Sequence, residues 1–361
     1  SAHLAASDVQ TLQFCSARQG AEIAAKQIVD AASEHPTAGY VETDPYHAGL
    51  GKQERRAVEN KLKTEAADVV PTTNALELGI DIGSVDATVT AGYPGTKQSF
   101  WQQVGRSGRG TSNALSVLLG GMDAMDAYIF DNPEYLFADD SVEDAVVSVD
   151  NDRVYADHVL AAAAERPLRA DDAAYFGTDQ RFREIVEMWQ DAGLLESVGD
   201  LDAGGVTYTG DRRPQSRLSL YGTGTTEFVV SCETGTIDHD PVAKERAYRE
   251  YHEGALFLHA GQQYEVTTVD ESGRHPTISV QETTTDEYTQ TFSTKHIDEL
   301  VVRDHTPLAG EYDLYFGEGT IRIQYDEYLV RNVFTGDVIR GPLPTEAPPL
   351  ELQTELLWVT L

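Results

Sequence analysis

The 361 residues are enough for two or three domains, and a hydrophobic content of 40% is that of an ordinary folded chain. Two cysteines, Cys15 and Cys232, exclude a disulfide framework and a four-cysteine zinc site, and no apolar run approaches the ~18 residues of a membrane span. The net charge of −33, from 60 acidic and 27 basic residues, argues against a nucleic-acid surface of the usual basic kind.

That last exclusion depends on where the acids lie. They are scattered among 31 aromatic residues rather than gathered into a tail, and only seven of the cations are lysines. Such segments fold rather than remain disordered. The pattern predicts a protein adapted to high salt, since at ~1 M salt the Debye length is only ~3 Å and self-repulsion is screened. Acidity then stops being evidence about partners. The start "SAHLAASDVQ" lacks a basic region and an apolar signal core. A cytoplasmic protein with free thiols, no metal site and no membrane contact is expected.

Along the chain, "TLQFC" reads as a buried strand and "ARQGAEIAAKQIVDAASE" as a helix with apolar residues at helical spacing. "KQERRAVENKLKTE" reads as a surface helix, and "ADVVPTT", "VDATVTAG" and "ALSVLLGG" as further strands. "KQSFWQQVGRS" and "MDAMDAYIFDNPEYLF" read as helices, the second closing the region. This alternation predicts an α/β domain over 1–150 with a parallel sheet and helices on both faces. Helices over "YADHVLAAAAERPL" and "DQRFREIVEMWQDAGLL", followed by a hairpin of "GGVTYTGD" and "SRLSLYG", predict a winged-helix-like domain over 151–222. Strand signals dominate 223–361 and predict a β-rich accessory domain, a small barrel or twisted sheet, with "GPLPTEAPPLEL" as a proline-rich connector.

"FWQQVGRSGRG" carries the strongest chemical signal. Gln102, Gly105, Arg106, Gly108 and Arg109 combine a flexible backbone with two planar, permanently charged forks, suited to a phosphate. Upstream, "TTNALELGIDIG" leaves a buried strand. Thr72, Thr73 and Asn74 stand at its carboxyl end, the ligand edge of a parallel sheet. Asp81 suits a ribose hydroxyl or a turn cap. Ser16 suits the N-cap of the helix after "TLQFC". Cys15, Trp101 and Trp189 read as core, and Tyr208, Arg212 and Arg213 as a solvated hairpin.

In order, "FCSARQGAE", "YHAGL", "TTNALELGIDIG" and "QQVGRSGRG" resemble motifs four, four-a, five and six of superfamily 2 helicases. More narrowly, residues 73–110 are similar to the Hrq/MrfA (YprA-like) DEAD/DEAH-box helicases of DNA repair. The likeness extends more loosely through "NPEYLF", "LHAGQQYEV", "FTGDV" and "ELLWVTL". The resemblance implies that 1–150 is the second RecA-like lobe of an ATP-dependent DNA helicase. It implies that Arg106 and Arg109 approach the ATP γ-phosphate, with Arg109 as the arginine finger. Gln102 would link the nucleotide to the lobe, and Gly79 and Asp81 would lie beside the ribose. Ser16, Arg18, His47, Gly49, Thr72, Thr73 and Asn74 would face a DNA backbone, single-stranded or in a tailed duplex.

The departures carry equal weight. No G-x-x-x-x-G-K-[ST] loop occurs, since Gly51-Lys52 is followed by Gln53 and residue 46 is Tyr, and no D-E-x-[DH] box occurs. A fragment is expected, lacking the first RecA-like lobe, which would lie in the same or a separate chain, and truncated before a cysteine-cluster domain. ATP and Mg²⁺ then belong to the lobe-complete parent. This chain alone would bind neither tightly and would be inactive as an ATPase. The competing reading is a non-enzymatic nucleic-acid-binding or regulatory protein on a helicase-like scaffold.

Overall fold

Short apolar strands organise the first 143 residues. β1 (Thr11–Phe14) pairs in parallel with β2 (Val69–Thr72) on one side and β3 (Ala87–Ala91) on the other; β4 (Leu115–Leu119) pairs in parallel with β3. The order is β2-β1-β3-β4. Because side chains alternate along a strand, the pairs Leu12↔Val70 and Thr11↔Val69 point to opposite faces. Leu12, Phe14 and Val70 pack with Val58 and Leu62 of α3 (Lys52–Lys63), while Val69 packs with Ile28 and Ala32 of α2 (Arg18–Ser33) and Ala5 of α1 (Ala2–Ala5). Both faces are therefore covered, as a parallel sheet requires. Burying each such side chain stabilises the fold by about 1.5–3 kcal/mol. In this computed structural model the described residues are all of 1–361 except 35–39, 79, 81, 84, 109–112, 122, 139–142, 144–150, 199–200, 203, 211–212, 219–225, 233–234, 273–275, 309–311 and 360–361.

α2 is helical because alanine and other strong helix formers fill "RQGAEIAAKQIVDAAS", with a buried stripe at 21, 24, 25, 28 and 32. Its N-cap is Ala17, without a side-chain bond, and Ser16 is exposed; the expected Ser16 cap does not form. α4 (Lys97–Val104) is capped by Thr96, whose hydroxyl accepts from the Ser99 amide at 3.0 Å. The single closing helix expected over 122–137 is instead two, α5 (Ala124–Asp131) and α6 (Glu134–Phe137). Pro133 explains the break, because it disfavours helical geometry at Asn132, which stands at φ −132° and ψ 62°. Trp101 is 43% exposed rather than core.

The chain divides into two compact units, Ser1–Glu143 with Gly224–Leu361, and Asp144–Thr223. The second packs α7 (Asp152–Glu165), α8 (Ala173–Phe176) and α9 (Asp179–Asp191) around Val159, Phe182 and Val186. α9 ends where Gly193 takes φ +71°. β5 (Leu195–Ser197) pairs antiparallel with β6 (Val206–Tyr208). The expected strand partner "SRLSLYG" opens instead inside a 3₁₀ turn, Pro214–Arg217, and the rest of it lies largely outside the described residues. The hairpin falls one element earlier than the sequence suggests, because Leu195, read as the helix end, opens β5.

In the first unit, β7 (Glu227–Cys232), β8 (Gly235–Thr236) and β9 (Val242–Ala243) precede α10 (Lys244–Glu250), a helix the strand-dominated reading missed. β10 (Leu256–His259), β11 (Gln262–Asp270) and β12 (Thr277–Thr283) complete a sheet of order β10-β11-β12-β7-β8. A further sheet joins β13 (Glu287–Pro307), β14 (Asp313–Asn332), β15 (Val338–Pro344) and β16 (Leu350–Val359). "GPLP" of the expected connector is thus the end of a strand, paired with β14 where register shifts accommodate it. Phe228, Val230, Tyr251, Phe257, Ile278 and Tyr325 form the core of this region.

Candidate functional site

All four strands of the first sheet run parallel, so their carboxyl ends share one edge. The loops after β1 and β2 meet there directly: the Cys15 amide donates to the Thr72 carbonyl at 2.7 Å, and the Tyr46 amide donates to the Pro71 carbonyl at 2.8 Å. Ser16, Arg18, His47, Gly49, Thr72, Thr73 and Asn74, dispersed over 59 positions, are thereby gathered in space.

Their exposures divide them. Ser16 and Asn74 are exposed. Thr72 and Thr73 are buried: the Thr72 hydroxyl donates to the Thr73 carbonyl at 3.1 Å, and the Thr73 hydroxyl accepts from the Ala75 amide at 3.5 Å. His47 is buried too. Its Nδ1 accepts from the Gly49 amide at 3.2 Å, so its Nε2 carries the proton toward Glu22 Oε1, 2.9 Å away. Both ring nitrogens are engaged inside the protein, and the ring shapes the turn that carries Gly49. A β-carbon at Gly49 would sit 3.1 Å from Arg18 Nη1 and 3.1 Å from His47 Nδ1, so glycine permits this close approach.

Arg18 stands apart. It is half-buried and makes no hydrogen bond or ion pair among the described residues. Burial lowers its proton affinity, and the nearby Arg246 charge adds to the effect, with Glu250 and Asp240 opposing. A guanidinium in this position has donors to offer and no acceptor for them among the described residues.

The residues after β2 and the end of α4 are joined by a buried network. Arg106, 4% exposed, donates from Nε (3.0 Å) and Nη2 (2.6 Å) to the Glu77 carbonyl and from Nη1 (3.0 Å) to the Ile80 carbonyl. The Glu77 carboxylate, also buried, accepts from Ser99 Oγ at 2.6 Å and from Gln103 Nε2 at 2.5 Å; Gln103 Oε1 in turn accepts from Thr90 Oγ1 at 3.0 Å. The neighbouring Gln102 is half-exposed. Arg106 was set beside Arg109 as a phosphate ligand by the sequence pattern; its donors here lie on carbonyls of the segment that leads into Gly79 and Asp81. Gly108 takes φ +76°, a left-handed backbone that favours glycine. Arg109, Gly79 and Asp81 themselves lie outside the described residues.

Two acids escaped the sequence reading. Glu77 is the hub just described. Glu22, 1% exposed, accepts from the Ala260 and Gly261 amides at 2.8 and 3.0 Å as well as facing His47. It ties α2 to the β10–β11 turn. Each sits within an apolar stripe, "ALELG" or "GAEIAA", and that placement was the available signal: a buried acid must find donors.

Nucleotide chemistry can be tested against these residues only in part. The half-exposed Gln102 has an amide to offer a nucleotide, while the Arg106 donors are taken by the Glu77 and Ile80 carbonyls. No group of three or more His, Cys, Asp or Glu suited to a metal ion occurs among the described residues, and none of their helices is long and apolar enough to cross a membrane.

Comparison with known proteins adds the following relatives. Residues 2–111 match the helicase conserved C-terminal domain. The chain is 29% identical over 362 residues to the uncharacterized ATP-dependent helicase YprA of Bacillus subtilis, covering 98% of this chain and 46% of that protein. It is 26% identical to the ATP-dependent helicase HRQ1 of Saccharomyces cerevisiae, covering 98% of this chain and 32% of that protein. Among solved structures it superposes on the DUF1998 helicase MrfA bound to DNA with a TM-score of 0.75 and 28% identity, covering 99% of this chain and 46% of MrfA. The chain thus spans less than half the length of these relatives. Its parallel sheet resembles a RecA-like lobe, its C-terminal region is β-rich, and the domain match and the homologues support a superfamily 2 helicase of the Hrq/MrfA type.

Proposed function

We propose that this chain is the C-terminal part of an ATP-dependent DNA helicase acting in DNA repair in the cytoplasm: a second motor lobe, a winged-helix-like domain near 151–222 and a β-rich accessory domain. The observation that carries the reading is Arg18, a half-buried guanidinium without a hydrogen-bond or ion-pair partner among the described residues, at the carboxyl edge of the sheet. A strand phosphate is the acceptor that such a fork fits. Ser16 and Asn74, exposed at the same edge, supply further donors, while His47 and Gly49 shape the floor beneath Arg18. MrfA has been solved bound to DNA with AMPPNP, which supports DNA and a nucleotide as the ligands of this edge.

ATP with Mg²⁺, held against a first RecA-like lobe in the parent, would supply the transferable phosphoryl group. Arg109 acts as the arginine finger, stabilising charge that develops on that group. Arg106 is a positioning residue: its guanidinium braces the carbonyls of Glu77 and Ile80, and the resemblance assigns the ribose contact to Gly79 and Asp81. Gln102 faces the nucleotide while Gln103 anchors α4. Alternate closure and opening of the two lobes then moves a single strand or tailed duplex past Arg18.

Fluorescence anisotropy with a labelled oligothymidylate tests the strand assignment. Arg18→Ala should weaken binding and reduce the salt slope by about 0.7, the value for one phosphate on a single strand. Equal binding by Arg18→Ala and wild type removes Arg18 from the interface. The dispersed charge of −33 carries a companion expectation, salt adaptation. Melting followed by circular dichroism should rise between dilute buffer and molar KCl, and unchanged melting would discard it.

A further inference from the structure

We propose that Arg246, on α10 of the β-rich region, is a second ligand for the strand phosphate bound at Arg18, so that one phosphate is held by the lobe and the accessory domain together. The inference rests on the nucleic-acid reading of Arg18 given above.

The start of α2 and the α10 segment are tied together by the contacts around them. The Leu258 amide donates to Gln19 Oε1 at 3.3 Å, next to Arg18. The Asp240 amide donates to the Gly49 carbonyl at 3.3 Å, and Leu50 bridges to His239. His239 Nδ1 donates to the Asp240 carbonyl at 2.5 Å, so its Nε2 accepts from the Tyr251 hydroxyl at 2.9 Å. Tyr251 stacks edge-on against Phe257 of β10, with ring centroids 4.7 Å apart. Gly49, which lies against Arg18 Nη1, is therefore linked through Asp240, His239 and Tyr251 to Arg246.

Arg246 is held as a ligand would be. Its Nε donates to Glu250 Oε2 at 2.6 Å and its Nη2 to the Tyr251 hydroxyl at 2.9 Å. Nη1 has no partner among the described residues. The side chain is only 16% exposed, so little of the fork is left for solvent. Glu250 is shared with Arg249, whose Nη2 lies 2.8 Å from Oε1, so one carboxylate serves two guanidinium groups. Arg18 receives no carboxylate. Arg18, unpaired among the described residues, feels the Arg246 charge with Glu250 and Asp240 opposing it, and an anion that accepts from Arg18 and from the spare Nη1 of Arg246 would relieve the remaining repulsion between them. A phosphodiester carries one negative charge and two free oxygens, enough to accept from both forks.

The test uses this 361-residue chain and labelled oligothymidylate, titrated over a fourfold range of KCl, with melting recorded for every variant. Arg246→Gln should reduce the salt slope by about 0.7, so that the fourfold rise in KCl costs wild type about threefold more affinity than the variant. Arg249→Gln removes the same charge from the same helix and should leave the slope unchanged. A wild-type slope in Arg246→Gln, with a reduced slope in Arg18→Ala, would overturn the role of Arg246 and leave the Arg18 reading standing. Wild-type slopes in both would overturn that reading as well. Equal reductions in Arg246→Gln and Arg249→Gln would mean a diffuse charge effect, and the proposal fails. Should Arg246→Gln unfold, Arg246→Lys decides: several-fold weaker binding at unchanged melting supports a fork on phosphate, and wild-type affinity overturns it. Inorganic phosphate should compete only weakly; competition matching that of unlabelled oligothymidylate at equal phosphate would make this a free-phosphate site.

Discussion

Arg106 and Glu77 stand 29 positions apart, yet the Arg106 guanidinium donates twice to the Glu77 carbonyl, through Nε at 3.0 Å and Nη2 at 2.6 Å. Both residues are buried, and a charged donor on a buried carbonyl is worth about 1.5–3 kcal/mol. Arg106→Ala should therefore destabilise the chain by about 3 kcal/mol in a denaturant titration, since it strands two carbonyls at once. Arg106→Lys should recover little, because one ammonium cannot span Glu77 and Ile80 with a planar fork. A loss below about 1 kcal/mol for Arg106→Ala would show that the brace is not structural.

Glu22 makes a second such joint, between the lobe and the β-rich region. Its two carboxylate oxygens accept from the amides of Ala260 and Gly261, 238 and 239 positions away, and Oε1 also faces His47. Both turn residues have positive φ, 51° and 77°, so the turn presents adjacent amides outward to one acceptor. Glu22→Ala should cost about 2 kcal/mol and loosen the β10–β11 turn, because the buried His47 Nε2 loses its acceptor and the Ala260 and Gly261 amides lose theirs. Hydrogen exchange at Ala260 and Gly261 is the local readout. Unchanged protection there would mean that the turn holds itself.

These two joints mark what sequence could and could not reveal. The strands around Leu12, Val70 and Val89 were legible because apolar residues recur at the period of a buried sheet, whereas the inward turn of Arg106 onto the Glu77 and Ile80 carbonyls was not, because "GRSGRG" shows charged donors without showing where they point. Helix α10 was not, since "KERAYRE" is short and nearly all polar; its helicity comes from packing of Ala247 and Tyr248 against the β core. The inward turn of Thr72 and Thr73 was also hidden, because residue type shows donors at a strand end but not which way they point. Glu22 could be marked as an acid in an apolar stripe, but its partners lie too far along the chain for any spacing rule.

Acid should loosen the same joint between the lobe and the β-rich region. His239 is pushed from its ordinary value of 6.5 down to about 3, first by burial, then by the neighbouring His259, with Arg246 and His47 adding and the Asp240 carbonyl opposing. The folded state holds it neutral while the unfolded chain takes up a proton below 6.5. Its contribution is thus complete above pH 6.5 and lost as pH falls toward 3, a change on the order of a few kcal/mol. In molar KCl, the unfolding midpoint of wild type should fall across this window more steeply than that of His239→Gln, whose amide does not titrate. Parallel pH profiles for the two proteins would rule out His239 as a source of acid sensitivity.

The chemistry of the edge predicts a division of labour between this chain and the rest of its parent. Within these 361 residues no G-x-x-x-x-G-K-[ST] loop and no D-E-x-[DH] box occurs, and on the reading proposed above the β- and γ-phosphates and the attacking water belong to another part of the parent. The chain alone should show no magnesium-dependent ATP hydrolysis with saturating single-stranded DNA. An arginine finger works only against a phosphate held for it, because its effect depends on placement where charge develops. In a parent containing the first lobe, Arg109→Ala should lower turnover by about 10³ or more while ATP binding changes far less. Arg109→Lys should also be poor, as a single ammonium does not reproduce two parallel donors. Arg106→Lys should differ from both: if Arg106 is the brace and not the finger, its turnover should fall in proportion to lost stability, and a stabilising concentration of salt should restore it. Failure of salt to restore Arg106→Lys, with Arg109→Ala near wild type, would exchange the two roles, and hydrolysis by the isolated chain would remove the finger assignment altogether.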